Sequence, residues 1–242
     1  MNYRQLQFSI KFSKFENIRR HLNEIEDVFK DLFGVPQTVP VPDDFNPQVP
    51  RVVMSSKDGL CQISFSQISI DFSVRSSEEV LVENDACLEY ASKIVNLVKD
   101  FFVKVGISDF CYMGVICNLK LNINGMTALD FAKKRLDKEC YSDGLYDVSQ
   151  RLVSVKDNEF FVNEQIDTYH EPKEGITNIP EFRQGKDFSN EKSVALSIDV
   201  NNRYSYIQSG NLIAIDEIKP VLQKICAVIG EVATKWRMNE HE

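Results

Sequence analysis

The chain of 242 residues carries 28 Lys+Arg against 36 Asp+Glu, a formal net charge of -8, which argues against a broad nucleic-acid-binding surface and leaves only a local basic patch open. Hydrophobic residues make up 43% and charged residues 26%, the balance of a globular protein with its own core, in one large or two small domains. No apolar run approaches the ~20 residues needed to span a bilayer, and the first residues alternate in polarity where a secretory signal would be continuously apolar, so a cytoplasmic location with no membrane partner is expected.

Leu6, Phe8, Ile10 and Phe12 alternate with Gln7, Ser9, Lys11 and Ser13, which specifies a strand with one buried face. Ser13 followed by Glu16 has capping-box spacing. The helix expected after it places Ile18, Leu22, Ile25, Phe29 and Leu32 on one face and ends at Gly34, with Arg19, Arg20 and His21 on its solvated side. Val35–Pro50 contains five prolines and reads as an extended connector; a polyproline ligand is the weaker alternative, because structured elements flank the segment.

Arg51–Ser56 and Leu60–Ser66 flank Lys57-Asp58-Gly59, a hairpin turn, since Asp and Gly tolerate positive φ. Ile68, Ile70, Phe72 and Val74 then alternate with Ser69, Asp71 and Ser73. The apolar parity switches between Phe65 and Ile68, which favours a tight turn at Ser66-Gln67 over a bulge. The face bearing Ser64, Ser66, Ser69 and Ser73 is either solvated, the commoner case, or the lining of a pocket.

From Asn84, Cys87, Ala91, Ile94, Val98, Phe101 and Val105 recur at steps of four and three, the stripe of a long amphipathic helix, and Gly106 ends it. Phe110–Asn122 follows as a strand. Thr127 starts a shorter helix with Leu129, Ala132 and Leu136; strands at Tyr146–Val155 and Phe160–Tyr169 flank a turn at Lys156-Asp157-Asn158. His170–Lys192 is polar and acidic, without periodicity, and reads as a long loop, a lid or a partner-binding element. Val194–Val200 alternates as a strand, Asn201-Asn202 suggests a turn, and Tyr204–Gln208 a further strand. A last helix starts near Asp216 with Ile218, Leu222, Ile225, Ile229, Val232 and Trp236 on one face and Pro220 in its first turn.

The element order repeats. Strand, helix, connector, three strands and a long helix run through 1–106 and again through 107–242, which predicts one continuous α+β domain with an antiparallel sheet and its helices on one face. This order resembles the duplicated layout of TATA-binding-protein-like folds, a saddle of strands with helices on its back. Phe8-Ser9-Ile10-Lys11-Phe12, the Asp58-Gly59 hairpin, Ile68-Ser69-Ile70 before the Tyr90 helix, and Ser197-Ile198-Asp199-Val200 before a terminal helix also resemble a sporadically distributed prokaryotic family of about this length. That family has no assigned activity, so the resemblance carries over no functional residues. The family's central strand ends in an Arg-Tyr-Asn-like motif, where this chain has Asn118-Leu119-Lys120-Leu121-Asn122.

Nucleotide-binding glycine motifs, nucleophile elbows and zinc-protease helices do not occur in the sequence. The six cysteines form no CxxC pair and no His/Cys cluster, and four of them sit within apolar patterns, as expected of reduced, buried cysteines. No catalytic residue, cofactor or metal is therefore assigned. His170 beside Glu171 is a candidate binding or acid–base pair, with an exposed loop histidine as its plainer reading. Asp199, Asn201 and Asn202 end a buried strand, a common place for binding residues, although turn chemistry also explains them. Two functions stay open. One is a non-enzymatic cytosolic binding module with a protein partner for the acidic loop. The other is a small-molecule sensor or enzyme with a serine-lined pocket between sheet and helices. Nucleic acid is the least favoured ligand, because the strands present Ser, Gln, Asn and Asp where a DNA saddle needs cations and aromatics.

Overall fold

A computed structural model describes residues 2–75, 84–122, 130, 131, 134, 149–168 and 193–238. The chain begins with β1 (Asn2–Lys11), a single 3-10 turn at Ile18–His21 and α1 (Leu22–Phe29). It continues through β2 (Gln37–Thr38), β3 (Val52–Ser55), β4 (Cys61–Phe65) and β5 (Ser69–Arg75) into α2 (Asn84–Val105). Next come β6 (Asp109–Phe110), β7 (Tyr112–Asn122), β8 (Ser149–Lys156), β9 (Phe160–Thr168) and β10 (Ser193–Asn201). The described chain closes with α3 (Arg203–Ser209), β11 (Ile213–Ala214) and α4 (Ile218–Met238).

The fold is α+β, built on a nine-stranded sheet in the order β2-β3-β4-β5-β1-β7-β10-β9-β8. Every pairing between these strands is antiparallel. β1 and β7 are central neighbours, and the strands outward from each run in reverse chain order. Their register places Leu6 against Cys117, Phe8 against Val115 and Ile10 against Met113, all buried. This is the apolar parity of the sequence, and the helices cover it. α2 lies against β1 and β5, α4 lies against β7 and β10, and the two helices touch each other. Ala91, Ile94, Val98 and Phe101 of α2 and Ile218, Leu222, Ile225, Ile229 and Trp236 of α4 are buried there, each large side chain contributing roughly 1.5–3 kcal/mol. Phe29, Phe65 and Phe101 join α1, β4 and α2 in edge-to-face and tilted contacts. No helix among the described residues is long and apolar enough to cross a membrane.

Three local expectations change. The Ser13/Glu16 capping box does not form: Asn17 stands at the helix entry with φ 62, and Glu16 instead binds Lys14 at 2.8 Å. α1 stops a turn before Gly34 because Phe33 bridges to Ser56 and the Gly34 N–H donates to Ser55 O at 3.0 Å; joining the sheet ends the helix early. Tyr204–Gln208 lies within α3 and is no strand. Its tyrosines Tyr204 and Tyr206, on one helical turn, reach Phe161 and Tyr112 respectively, and Gly210 at φ 69 closes the helix. Of the helix expected from Thr127, Asp130, Phe131 and Lys134 are described and helical. The loop His170–Lys192 lies outside the described residues.

The connector contains β2 and is held by arginines. Arg51 is 0% exposed and donates to Val49 O at 2.6 Å, Phe45 O at 3.0 Å and Asn46 O at 3.3 Å. Arg19 reaches Asp43 at 2.6 Å, Val39 O at 2.7 Å and Val41 O. Hence Arg19 is no free surface cation: it ties two carbonyls and an aspartate of the connector to the first helical segment. Arg51→Met removes the side-chain donor to Val49 O and Phe45 O and should cost about 3 kcal/mol, a fall of roughly 6–12 °C in Tm by thermal denaturation. A change under about 1 °C would mean the arginine does not hold the connector.

Candidate functional site

Polar residues of the alternating strands collect on the sheet face opposite α2 and α4. Register aligns them in lateral rows. Asn201, Gly114, Ser9, Asp71, Ser64 and Val53 form one, running from β10 to β3. Asp199, Ile116, Gln7, Ser73 and Gln62 form the next. The middle of these rows is built from small residues, Gly114, Ser9 and Ser73, while Tyr112 and Arg203 stand at one side and Pro50 and Gln62 at the other. The result is a groove of about 610 Å3 across the β1–β7 seam.

Gly114 is required there. A Cβ on it would sit 2.8 Å from the Asn201 Cβ, closer than two carbons pack, so the strands approach only because β7 has glycine at this pair.

The two groove carboxylates differ in their surroundings. Asp71 accepts from Ser9 Oγ, from Ser69 Oγ at 2.6 Å and from Lys11 Nζ at 3.4 Å. Asp199 accepts from Asn163 Nδ2 at 3.1 Å and Asn201 Nδ2 at 3.0 Å. The nearest cation on this path is one amide removed, Arg151, whose guanidinium donates to Asn163 Oδ1 at 3.0 Å. Burial pushes the Asp199 carboxyl above the usual carboxylate range, against the opposing pull of Asn201, Arg151 and Asn163. Arg203 opens α3 and lies over the Tyr112 ring, 5.9 Å from its centroid. Tyr206 of α3 packs on the same ring at 5.8 Å.

Asp199 and Asn201 thus meet in the groove, as neighbours on the open face of β10. Asn202 does not join them. It is 1% exposed; its Oδ1 accepts from Met113 N at 2.8 Å and its N–H donates to Met113 O at 3.1 Å, so it fastens the end of β10 to β7. His170 and Glu171 lie outside the described residues. Ser64 and Ser73 line the groove, while Ser66 and Ser69 are buried in the β4–β5 turn with their hydroxyls 2.8 Å apart. The groove is therefore on the face opposite α2 and α4, with α3 at its edge, and the space between the sheet and α2 and α4 is filled by the apolar core. Sequence reasoning missed Gln7, Ser9, Asp71, Tyr112, Gly114 and Arg203 as site residues. The polar half of each alternation and a glycine inside a strand were the available signals; lateral register was not.

Among the described residues no group of three His, Cys, Asp or Glu side chains could hold a metal ion. Burial raises Cys61 to about 12 and Cys226 to about 11, so both stay protonated thiols at neutral pH. No protein-family model matches the chain, and no curated protein matches it either.

Gly114→Ala should destabilise by about 1–3 kcal/mol in chemical denaturation, and adding Asn201→Gly should recover most of that loss; no recovery would place the clash elsewhere. A raised carboxyl pKa favours folding below the unfolded pKa, and that contribution is lost as pH rises through the folded value. Asp199→Asn should therefore have the higher Tm at pH 7, with the gap closing towards the acid range. Equal Tm values at pH 7 would contradict the buried-charge assignment.

Proposed function

We propose that this protein is a non-enzymatic binding module whose open-face groove holds a small polar organic molecule. The observation that carries this reading is the groove itself. Its volume, about 610 Å3, lies within the ~300–1,000 Å3 of small-molecule sites, and its walls alternate hydroxyls, amides and carboxylates with Ile116 and Tyr112. The carboxylate spacing supports binding over hydrolysis. Asp71 and Asp199 stand three strands apart, about 15 Å between backbones at ordinary strand spacing. Carboxylate pairs that flank one scissile bond sit about 5–9.5 Å apart.

The buried thiols of Cys61 and Cys111 favour a reducing, cytoplasmic setting. The mirrored strand order about β1 and β7 supports, as part of the same proposal, a duplicated unit of the TATA-binding-protein type, with the groove where the halves 1–106 and 107–242 meet. The open face in that case has exchanged a DNA-binding surface for a polar pocket.

Thermal-shift screening against polar metabolites tests the proposal. A ligand at 100 times its dissociation constant adds about 2.7 kcal/mol, roughly 5–11 °C in Tm. Ser73→Trp fills the groove from the open face and should abolish the shift while leaving the circular dichroism spectrum unchanged. Failure of every metabolite class to raise Tm, or a shift that survives Ser73→Trp, would refute the groove as the site.

A further inference from the structure

A carboxylate taken out of water needs a cation or a full set of donors. In the groove Asp71 has both: two serine hydroxyls and Lys11. On the helix side of the neighbouring strand, the buried Glu164 has both as well, with Trp236 Nε1 at 2.6 Å and Lys235 Nζ at 3.3 Å. Asp199 has two amide donors and, among the described residues, no cation within ion-pair distance. Each carboxylate oxygen has room for a further donor. At the same end of the groove Arg203 is held over Tyr112 and forms no ion pair among the described residues. A carboxylate whose nearest cation, Arg151, stands one amide away and a guanidinium with no ion pair among the described residues therefore line a single cavity.

We propose that the groove selects a zwitterionic amine, its ammonium seated on Asp199 and its anionic group on Arg203. This rests on the groove being the binding site. An ammonium brings N–H donors to the free lone pairs of Asp199, and such charge-assisted bonds are stronger than those the two amides supply. Ile116 is the direct cross-strand neighbour of Asp199 and offers an apolar floor for a methylene chain. Asp199 and Asn201 are separated by about 7 Å along the strand, and Arg203 lies beyond Asn201, so the ligand's two charges stand well apart. An extended amino acid or a dipeptide-sized amine has that form, whereas an α-amino acid's adjacent charges do not reach both groups.

Three probes of matched length separate the charges: aminocaproate (a zwitterion), hexamethylenediamine (a dication) and adipate (a dianion). They are titrated at constant ionic strength into the isotope-labelled full chain and followed by backbone amide resonances. Aminocaproate should move Gly114 and Asn201 and bind about tenfold tighter than either relative. Asp199→Asn should weaken aminocaproate and the diamine about tenfold and leave adipate unchanged. Arg203→Gln should weaken aminocaproate and adipate and leave the diamine unchanged. If adipate or the diamine binds tightest in the groove, or Asp199→Asn leaves aminocaproate affinity intact, the charge assignment is wrong while the groove remains the site. If no probe moves any groove resonance, the groove reading falls with it.

Discussion

The antiparallel pairing of β1 with β7 is the constraint on which the rest of this structure depends. Side chains alternate strictly along a strand, so a slip of one residue would exchange the buried and open faces of the whole sheet. Phe8 opposite Val115 and Ile10 opposite Met113 settle the choice, because the reverse register would expose several large apolar side chains, each at roughly 1.5–3 kcal/mol. Once this seam is set, β5 and β10 add to its two sides with the same parity. The helices then have only one apolar surface to cover. Everything polar in the central strands is pushed to the other face, and the groove is the consequence.

Two asparagines at the end of β10 show how neighbouring residues divide the work. Asn202 points into the protein and continues the ladder onto Met113, which fixes where β10 ends relative to β7. Asn201 points outward and holds Asp199. Gly114 lets the strands come close enough for both. The two half-buried or buried carboxylates on β9 and β10 make a similar contrast. Glu164 faces the helices and is satisfied by the indole and ammonium of α4, whereas Asp199 faces the groove and is held by amides alone. The first stabilises the fold. The second carries a burial cost that its two amide donors and the more distant Arg151 oppose.

The proline-rich connector supports the groove from one side. Prolines remove donors, so its carbonyls need partners from elsewhere, and the guanidinium forks of Arg51 and Arg19 supply them. Pro50 can then form part of the groove wall without the segment belonging to the central sheet.

Much of the fold was legible in the sequence. The period-two runs at Leu6–Phe12, Ile68–Val74 and Val194–Val200, the Asp58-Gly59 turn and the stripes of α2 and α4 all survive, because they follow from local geometry and burial. Local signals failed where a distant partner intervened: α1 ends early because Phe33 joins Ser56, and the tyrosines of α3 are drawn onto Tyr112 and Phe161. The groove was half legible. Asp199 and Asn201 stood out as polar residues ending a buried strand, but nothing local distinguished Asn201 from Asn202, which differ only in parity against β7. What the sequence determined by itself is which residues are apolar and at what period, and hence the elements and their buried faces. Which polar residues share a row, which carboxylate has a cation and where the cavity lies were decided by strand register, since residues from six strands meet there only after the sheet has formed.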